Sequence, residues 1–512
     1  MKRIYYFLCF AFVFTLIGNG TSVYGQFTNN FWVFGDSTGI NWNTPTTPSF
    51  FVSNVKARGS SATISNSNQL LVYSALYNNV IPNNGYLWNK YNSPISNGDH
   101  INFGGWYHDH LFIPNSINDS LIYFFSQNVT SSGPFGLFYS TINFKANNDS
   151  GIVIQKNVQL NNFPVFDALM AVRHGNGRDW WLIFQRWYAP NALTPTNDFY
   201  IYLISPLGIS NPVLQNIGAT HTTGGGQLCF NFDGNQFANV SWRGLIELYN
   251  FDRCTGNITS TIPIEQEATS FPFPYYNSCA YSPDGTKLYV LEYSQTSAPS
   301  YLFQFDLNAS NIFSSKTVID SFTNPDIGIG TLKLAPDNKI YLAAADENFF
   351  VTYPDTMFTT INSNLSVINQ PDSLGLACDF QPFSFYLGGA RTYYGLPNNP
   401  DYELGAWAGS PCDTLTVSLS PNPSPEERGV IMQAWFNPEW NMIHVNASKL
   451  KGKSGVLRLF DVEGRVVYER EVDVMSGGYF TGEINMNGVA SGVYIVSIVT
   501  EKDKVQSKVM KY

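Results

Sequence analysis

The sequence predicts an all-β chain: a seven-bladed β-propeller followed by a small immunoglobulin-like β-sandwich. Three observations lead there. Residues 27–405 carry almost no helical periodicity, and short β-branched and aromatic runs alternate with Asn, Gly, Ser, Pro and Asp turns. Within that stretch one unit, a polar turn and then an apolar strand, recurs about every 50 to 60 residues, a period that suits four-stranded propeller blades. Charge content then steps upward near Cys412, which marks a second domain. Residues 413–512 hold 11 Lys/Arg and 12 Asp/Glu, whereas the nearly fourfold longer stretch 26–412 holds 15 and 26.

The N-terminus has the pattern of a signal peptide over residues 1–25. Lys2 and Arg3 precede an apolar run from Ile4 to Ile17, and Val23-Tyr24-Gly25 predicts cleavage before Gln26. The run is shorter than the roughly 20 residues of a comfortable membrane span, and no transmembrane segment is expected further on. Cys9 lies inside the run, where a lipoprotein anchor would not place it.

The recurring unit reads Asn66–Tyr73, Asn118–Phe125, Asn176–Ile183, Asp233–Val240, Ser282–Val290 and Ala335–Leu342. In Ser282-Pro-Asp-Gly285 the ring of Pro283 fixes φ at the first corner. Asp284 can bond its own backbone, and Gly285 takes the left-handed position. The complete unit is plainest across Cys279–Ser282, Lys287–Tyr293, Tyr301–Leu307 and Ser315–Asp320. Six turns of this kind are visible. A seventh blade is expected to combine Phe383–Tyr394 with Phe31–Phe34 and so close the ring; six and eight blades remain open at this point. The pieces Phe31-Trp-Val-Phe-Gly-Asp36, Phe251–Gly256, Ser282–Gly285 and Gly395-Leu-Pro-Asn-Asn-Pro400, in that order, resemble a group of secreted propeller-type proteins of the WD40/YVTN-like kind. That group supplies no catalytic residue to carry over.

A linker is expected over 406–415 and the tail domain over 416–512. In the tail, Val456–Val462 and Arg465–Tyr468 flank Glu463-Gly464, a two-residue hairpin signal. Ser491-Gly492 turns into Val493–Val499, which reads as a central strand, and Glu501–Asp503 turns into the last strand, Val505–Met510. About seven strands in a hundred residues suit a sandwich. Residue by residue, Pro421, Asn422, Pro423, Gly464, Gly492, Tyr494, Lys508 and Lys511 resemble the type A C-terminal sorting domain of the type IX secretion system. The resemblance implies recognition by that secretion machinery after periplasmic transit. It also implies release to the medium or attachment at the outer-membrane surface.

Chemistry-bearing motifs are sparse. His108-Asp109-His110 is the candidate metal site, because alternate side chains of a strand share a face, with His100 or Asp99 as a third ligand. Against it stands the bland reading of two histidines at a strand end, and the metal and cofactor expectation is none. Thr223–Gly226 lacks the Gly-Lys-Ser/Thr of a phosphate loop, and Arg173-His174 with Asp179 lacks a nucleophile. No zinc-type Cys pair occurs among Cys229, Cys254, Cys279, Cys378 and Cys412; Cys254 with Cys279 is one conceivable disulfide. The acidic balance, 28 basic against 38 acidic residues, disfavours nucleic acid. Trp42, Trp88, Trp106-Tyr107, Trp180-Trp181 and Trp187-Tyr188 make the domain dense in aromatics that could hold a glycan or protein, although blade packing uses aromatics too. A non-catalytic binding platform is therefore favoured over a propeller-type polysaccharide lyase or hydrolase. The two differ in whether three or more of Asp36, His100, His108, His110, Asp167 and Asp179 meet in one cavity.

Overall fold

A computed structural model describes residues 27–76, 85–116, 118–129, 134–187, 194–294, 299–347, 357–413, 431–437, 441–448, 450–461, 464–474 and 480–511. The expected signal peptide and Pro421–Pro423 lie outside them. Two compact units result, one of residues 23–417 and one that contains 418–512.

The first unit is all-β and propeller-like. Among its described residues, seven antiparallel sheets follow one another along the chain. The first contains Phe31–Phe34, Asp36–Asn41 and Ser49–Lys56, and the second Ala62–Asn66, Leu70–Leu76 and Gly85–Asn89 with Phe27–Thr28 at its edge. The third contains His110–Pro114, Leu121–Asn128, Gly136–Asn143 and Ile152–Gln159. The fourth is built on Met170–Arg173, Trp180–Gln185 and Thr196–Ser205, whose far edge carries Gly208–Ile209 and Val213–His221. The fifth runs Gly226–Phe230, Gln236–Ser241, Ile246–Asp252 and Asn257–Glu265, and the sixth Tyr276–Tyr281, Lys287–Glu292, Ser300–Asp306 and Thr317–Phe322. The seventh runs Ile327–Leu334, Ile340–Asp346, Asn364–Ile368 and Phe380–Tyr386.

Alternation explains how these sheets pack. Successive strand residues face opposite sides, so an apolar strand gives one set of side chains to each neighbouring sheet. Trp180 belongs with Ala62, Val72 and Phe124 to the core shared by the second, third and fourth sheets, and its ring meets Tyr402 edge-on. Trp181, on the other face, belongs with Phe237 and Tyr249 to the core between the fourth and fifth and meets Phe251 edge-on. Both indoles are buried, so neither lies outside the core. Ala238, Val240 and Leu288 join the fifth sheet to the sixth, and Leu291, Leu302, Leu342 and Ile368 join the sixth to the seventh. Trp32 and Trp42 of the first sheet pack against Tyr341 and Leu365 of the seventh, which brings the two ends of the series together.

All six recurring turns connect the first strand of a sheet in the ladder to the second, as at Ser282–Gly285, where Gly285 has φ +70°. The expected closure differs in detail. Phe380–Tyr386 pairs with Asn364–Ile368 as the last strand of the seventh sheet, and the first sheet takes all three strands from residues 31–56. The long-range link is Asp36, which forms a backbone bridge with Arg391 and an ion pair with its guanidinium.

In the tail, Ile431–Asn437, Met442–Ser448 and Phe480–Asn485 form one sheet, and Ser454–Phe460, Val466–Asp473, Gly492–Thr500 and Lys504–Lys511 form another. Ile443, Val445, Leu457, Leu459, Ile484, Val496 and Ile498 make their common core. Gly464 has φ +81° at the hairpin, as its freedom from a Cβ allows. Gly492–Thr500 lies inside its sheet, between Ser454–Phe460 and Lys504–Lys511. The Tyr494 hydroxyl donates to the Ala490 carbonyl at 2.7 Å, and the Lys511 ammonium donates to the carbonyls of Met486 and Val489 at 2.8 and 2.7 Å. Lys508 pairs with Ile495 through the backbone.

Candidate functional site

Residues 391–413 are stitched to six of the seven sheets. After the Asp36–Arg391 bridge, Tyr394 N donates to Arg58 O at 2.9 Å, and Leu396 N donates to the Thr331 hydroxyl at 2.8 Å. Asn398 N donates to Ser61 O at 2.8 Å, while its side-chain amide faces the carbonyls of Leu169, His110 and His108 at 3.0, 3.1 and 3.4 Å. Asn399 exchanges two hydrogen bonds with Thr63, and the Tyr402 hydroxyl donates to Phe112 O at 3.0 Å. Arg173 and Arg253 donate to the carbonyls of Tyr402 and Gly405. A disulfide joins Cys412 to Cys254, with Cα atoms 5.4 Å apart. Thr63, His110, Phe112, Arg173 and Thr331 lie on first strands, and Ser61, His108 and Leu169 lie just before them, so the segment follows the first strands of the array. Cys254 thus pairs with Cys412 and not with Cys279, the partner that was conceivable from sequence: the chain beyond residue 405 returns to the turn after Asp252.

At the end of the array where those first strands begin, aromatic side chains and the Glu347 carboxylate form a circuit that runs from Trp106 round to Tyr107, its neighbour in sequence. Strands that pair antiparallel return to the same end, so residues before a first strand meet residues after a second. Trp106 and Tyr107 precede His110–Pro114, and Tyr275 precedes Tyr276–Tyr281. Trp242, Tyr293 and Glu347 follow Gln236–Ser241, Lys287–Glu292 and Ile340–Asp346. Ring centroids are 4.6 Å apart for Trp106 and Trp242, 4.9 Å for the stacked pair Trp242 and Tyr275, and 6.0 Å for Tyr275 and Tyr293. The hydroxyls of Tyr293 and Tyr394 both donate to Glu347 Oε1 at 3.0 Å, and Tyr394 lies 6.3 Å from Tyr107. Every member is half-buried. Burial and the Glu347 carboxylate push the Tyr293 hydroxyl up to about 12, so it stays a donor. Gly225 lies flat against Trp242; a Cβ there would sit 2.5 Å from the indole.

A pair of buried carboxylates supports this circuit. Asp167 accepts the backbone N–H groups of Trp106, Tyr107 and His108 at 2.7, 2.9 and 3.3 Å, and Asp109 accepts Gly105 N at 2.6 Å. Burial, with Asp109 nearby, raises Asp167 to about 7 despite those three donors. Position, and not reach toward solvent, is what the two carboxylates supply.

The residues singled out from sequence are dispersed. His110 places one ring nitrogen 2.7 Å from Asp109 and the other 2.6 Å from the Ser74 hydroxyl, whereas His108 lines a cavity of about 520 Å³ beside the segment 391–413. Strand parity does not join them, because the strand begins only at His110. Among the described residues no group of three or more His, Cys, Asp or Glu could hold a metal ion. His100 is exposed beside Asp99, Asp36 lines a separate cavity with Arg391, and Asp179 pairs with Arg178. His174 stacks on Trp181, and Arg173 donates to the Gly177 and Tyr402 carbonyls. Tyr188 lies outside the described residues. Sequence reading flagged Trp106-Tyr107 but not Trp242, Tyr275, Tyr293, Glu347 or Tyr394. Their common signal is position just before or just after a strand of the repeating unit.

Residues 433–512 match the secretion system C-terminal sorting domain. The tail is a type IX sorting domain. It directs a secreted or cell-surface protein to that machinery. No helix among the described residues is long and apolar enough to cross a membrane. No curated protein matches the chain. Among solved structures, the chain is similar to a periplasmic gluconolactonase of Pseudomonas aeruginosa, at 12% identity and TM-score 0.43 over 72% of this chain and 98% of that one. It is also similar to the Dos1 propeller, at 11% identity and TM-score 0.37 over 65% and 70%. A quinonprotein alcohol dehydrogenase-like protein of Bacteroides thetaiotaomicron gives 9%, 0.37, 72% and 77%.

Proposed function

We propose that the exported protein is a seven-bladed propeller, fastened along its axis by its own residues 391–413, that binds neutral glycans at the aromatic circuit. The signal peptide over residues 1–25 and an immunoglobulin-like sandwich in the tail belong to the same reading. The observation that carries it is the series Trp106, Trp242, Tyr275, Tyr293, Glu347, Tyr394 and Tyr107 at one end of the array. Flat aromatic faces with polar tips suit the apolar faces of sugar rings, and the shared carboxylate suits their hydroxyls. Net charge −10 disfavours acidic polymers.

The alternative reading, an extracellular polysaccharide lyase or hydrolase, draws on Asp167, whose raised carboxyl would suit a general acid. Its three backbone donors support a positioning role instead. The test is affinity electrophoresis of the purified protein through gels containing xylan, mannan or β-glucan, with reducing ends and unsaturated products assayed in parallel. Retardation in at least one gel without product release is expected. Product release that Asp167→Asn abolishes would favour the enzyme, and no retardation in any gel would favour a protein ligand.

A further inference from the structure

The first strands of the fifth and sixth sheets lie side by side, and Gln227 sets their register. Its side-chain oxygen accepts from both Cys279 N and the Ser278 hydroxyl at 2.7 Å. Cys229, two residues on, therefore comes beside Cys279. Cys229 packs against the apolar cluster that contains Cys279 and Tyr281, and its thiol donates to the Phe230 carbonyl at 3.6 Å. Both cysteines line the cavity of about 520 Å³, as does Lys333 from the seventh sheet.

The two sulfurs differ. Cys229 is half-buried, whereas Cys279 is fully buried. The Cys279 thiol, the Lys333 ammonium and the Tyr281 backbone N–H favour the Cys229 thiolate, while burial pushes Cys279 well above the ordinary thiol range. Attack from one sulfur and resolution by the other is the division of labour such a pair supports. Access decides the oxidant. Cys279 is buried and Cys229 half-buried at the wall of the cavity, which favours a small neutral hydroperoxide over the bulky active site of a thiol oxidase.

We propose that Cys229 and Cys279 are a hydroperoxide-oxidised dithiol that closes to a disulfide between the fifth and sixth sheets. The Cys229 sulfur attacks the distal peroxide oxygen; the S–O bond forms as the O–O bond breaks. The leaving alkoxide or hydroxide takes a proton from Lys333 or water, which leaves Cys229 as a sulfenic acid. The Cys279 sulfur then attacks Cys229, the S–S bond forms, and the S–O bond breaks with loss of water. The dithiol is oxidised by two electrons and the hydroperoxide is reduced to an alcohol or water.

Cys378 is an internal control: it is free, fully buried, and raised chiefly by burial. The experiment treats the purified full chain with equimolar hydrogen peroxide, alkylates it over a time course and maps peptides by mass spectrometry. A Cys229–Cys279 disulfide is expected at least tenfold faster than any change at Cys378. Cys279→Ser should accumulate dimedone-reactive sulfenic acid at Cys229, and Cys229→Ser should leave Cys279 reduced. Oxidation of Cys229 and Cys279 no faster than Cys378, or sulfinic acid without the disulfide, would overturn the proposal; the wild-type map alone decides this if the variants misfold.

Discussion

Cys412 is disulfide-bonded to Cys254, 158 residues earlier in the chain, and the bond fastens the last described residues before the tail to the fifth sheet. A loop of that length makes the closed chain lose much entropy when unfolded, on the order of 5 kcal/mol as an upper value. The double variant Cys254→Ser/Cys412→Ser is expected to melt at lower temperature and to be cut by proteases within 391–413. Melting that is unchanged by a reductant in the wild type would remove this role.

Asn398 is the second fastening. Its amide faces three carbonyls from two sheets, and Asn398→Ala strands them at a cost of about 2–3 kcal/mol. Asn398→Asp is expected to cost more, because a carboxylate would face the same oxygens. The urea midpoints of the two variants test the order: alanine below wild type, aspartate below alanine.

Protonation supplies a pH signature. Burial holds His108 and His221 down to about 4 from an ordinary 6.5, so between those values the unfolded chain binds two more protons. Stability from these groups is therefore complete above about pH 6.5 and lost as pH falls to about 4. Asp167, raised to about 7, works the other way from about 3.8 upward, so these three groups together contribute one net proton and a slope of about 1.4 kcal/mol per pH unit. His221→Gln should flatten that slope in denaturant titrations from pH 4 to 6.5. A slope that His221→Gln leaves unchanged would refute the burial of the neutral imidazole.

Export depends on the tail. Deletion of residues 413–512 is expected to leave the propeller in the periplasm, as followed by fractionation of periplasm, outer membrane and medium. Tyr494→Phe, which removes the bond to Ala490 O, should lower the stability of the tail by about 1 kcal/mol. Appearance of the truncated protein outside the cell would contradict the sorting role.

What could be read from sequence follows from range. The turns at Asn66, Asn118, Asn176, Asp233, Ser282 and Ala335 are local chemistry, and each opens the second strand of a sheet. The hairpin at Gly464 was legible for the same reason. Residues 406–413 read as linker because Cys412 has no local signal for Cys254, and upstream of them Asn398 meets His108 across 290 positions. Trp180-Trp181 showed that the strand has two faces, but not that both are covered, since a propeller sheet packs on a neighbour at each side. The aromatic circuit draws members from Trp106 to Tyr394, and only the return of antiparallel strands to one end brings them together.

Glycan binding at that circuit is tested most directly by tryptophan fluorescence, because Trp106 and Trp242 are part of it. Titration with the polysaccharide that retards the wild type should give a saturable change. Trp242→Ala should weaken it at least tenfold without altering the melting temperature by more than a few degrees. A folded Trp242→Ala protein that binds as tightly as the wild type would contradict the account.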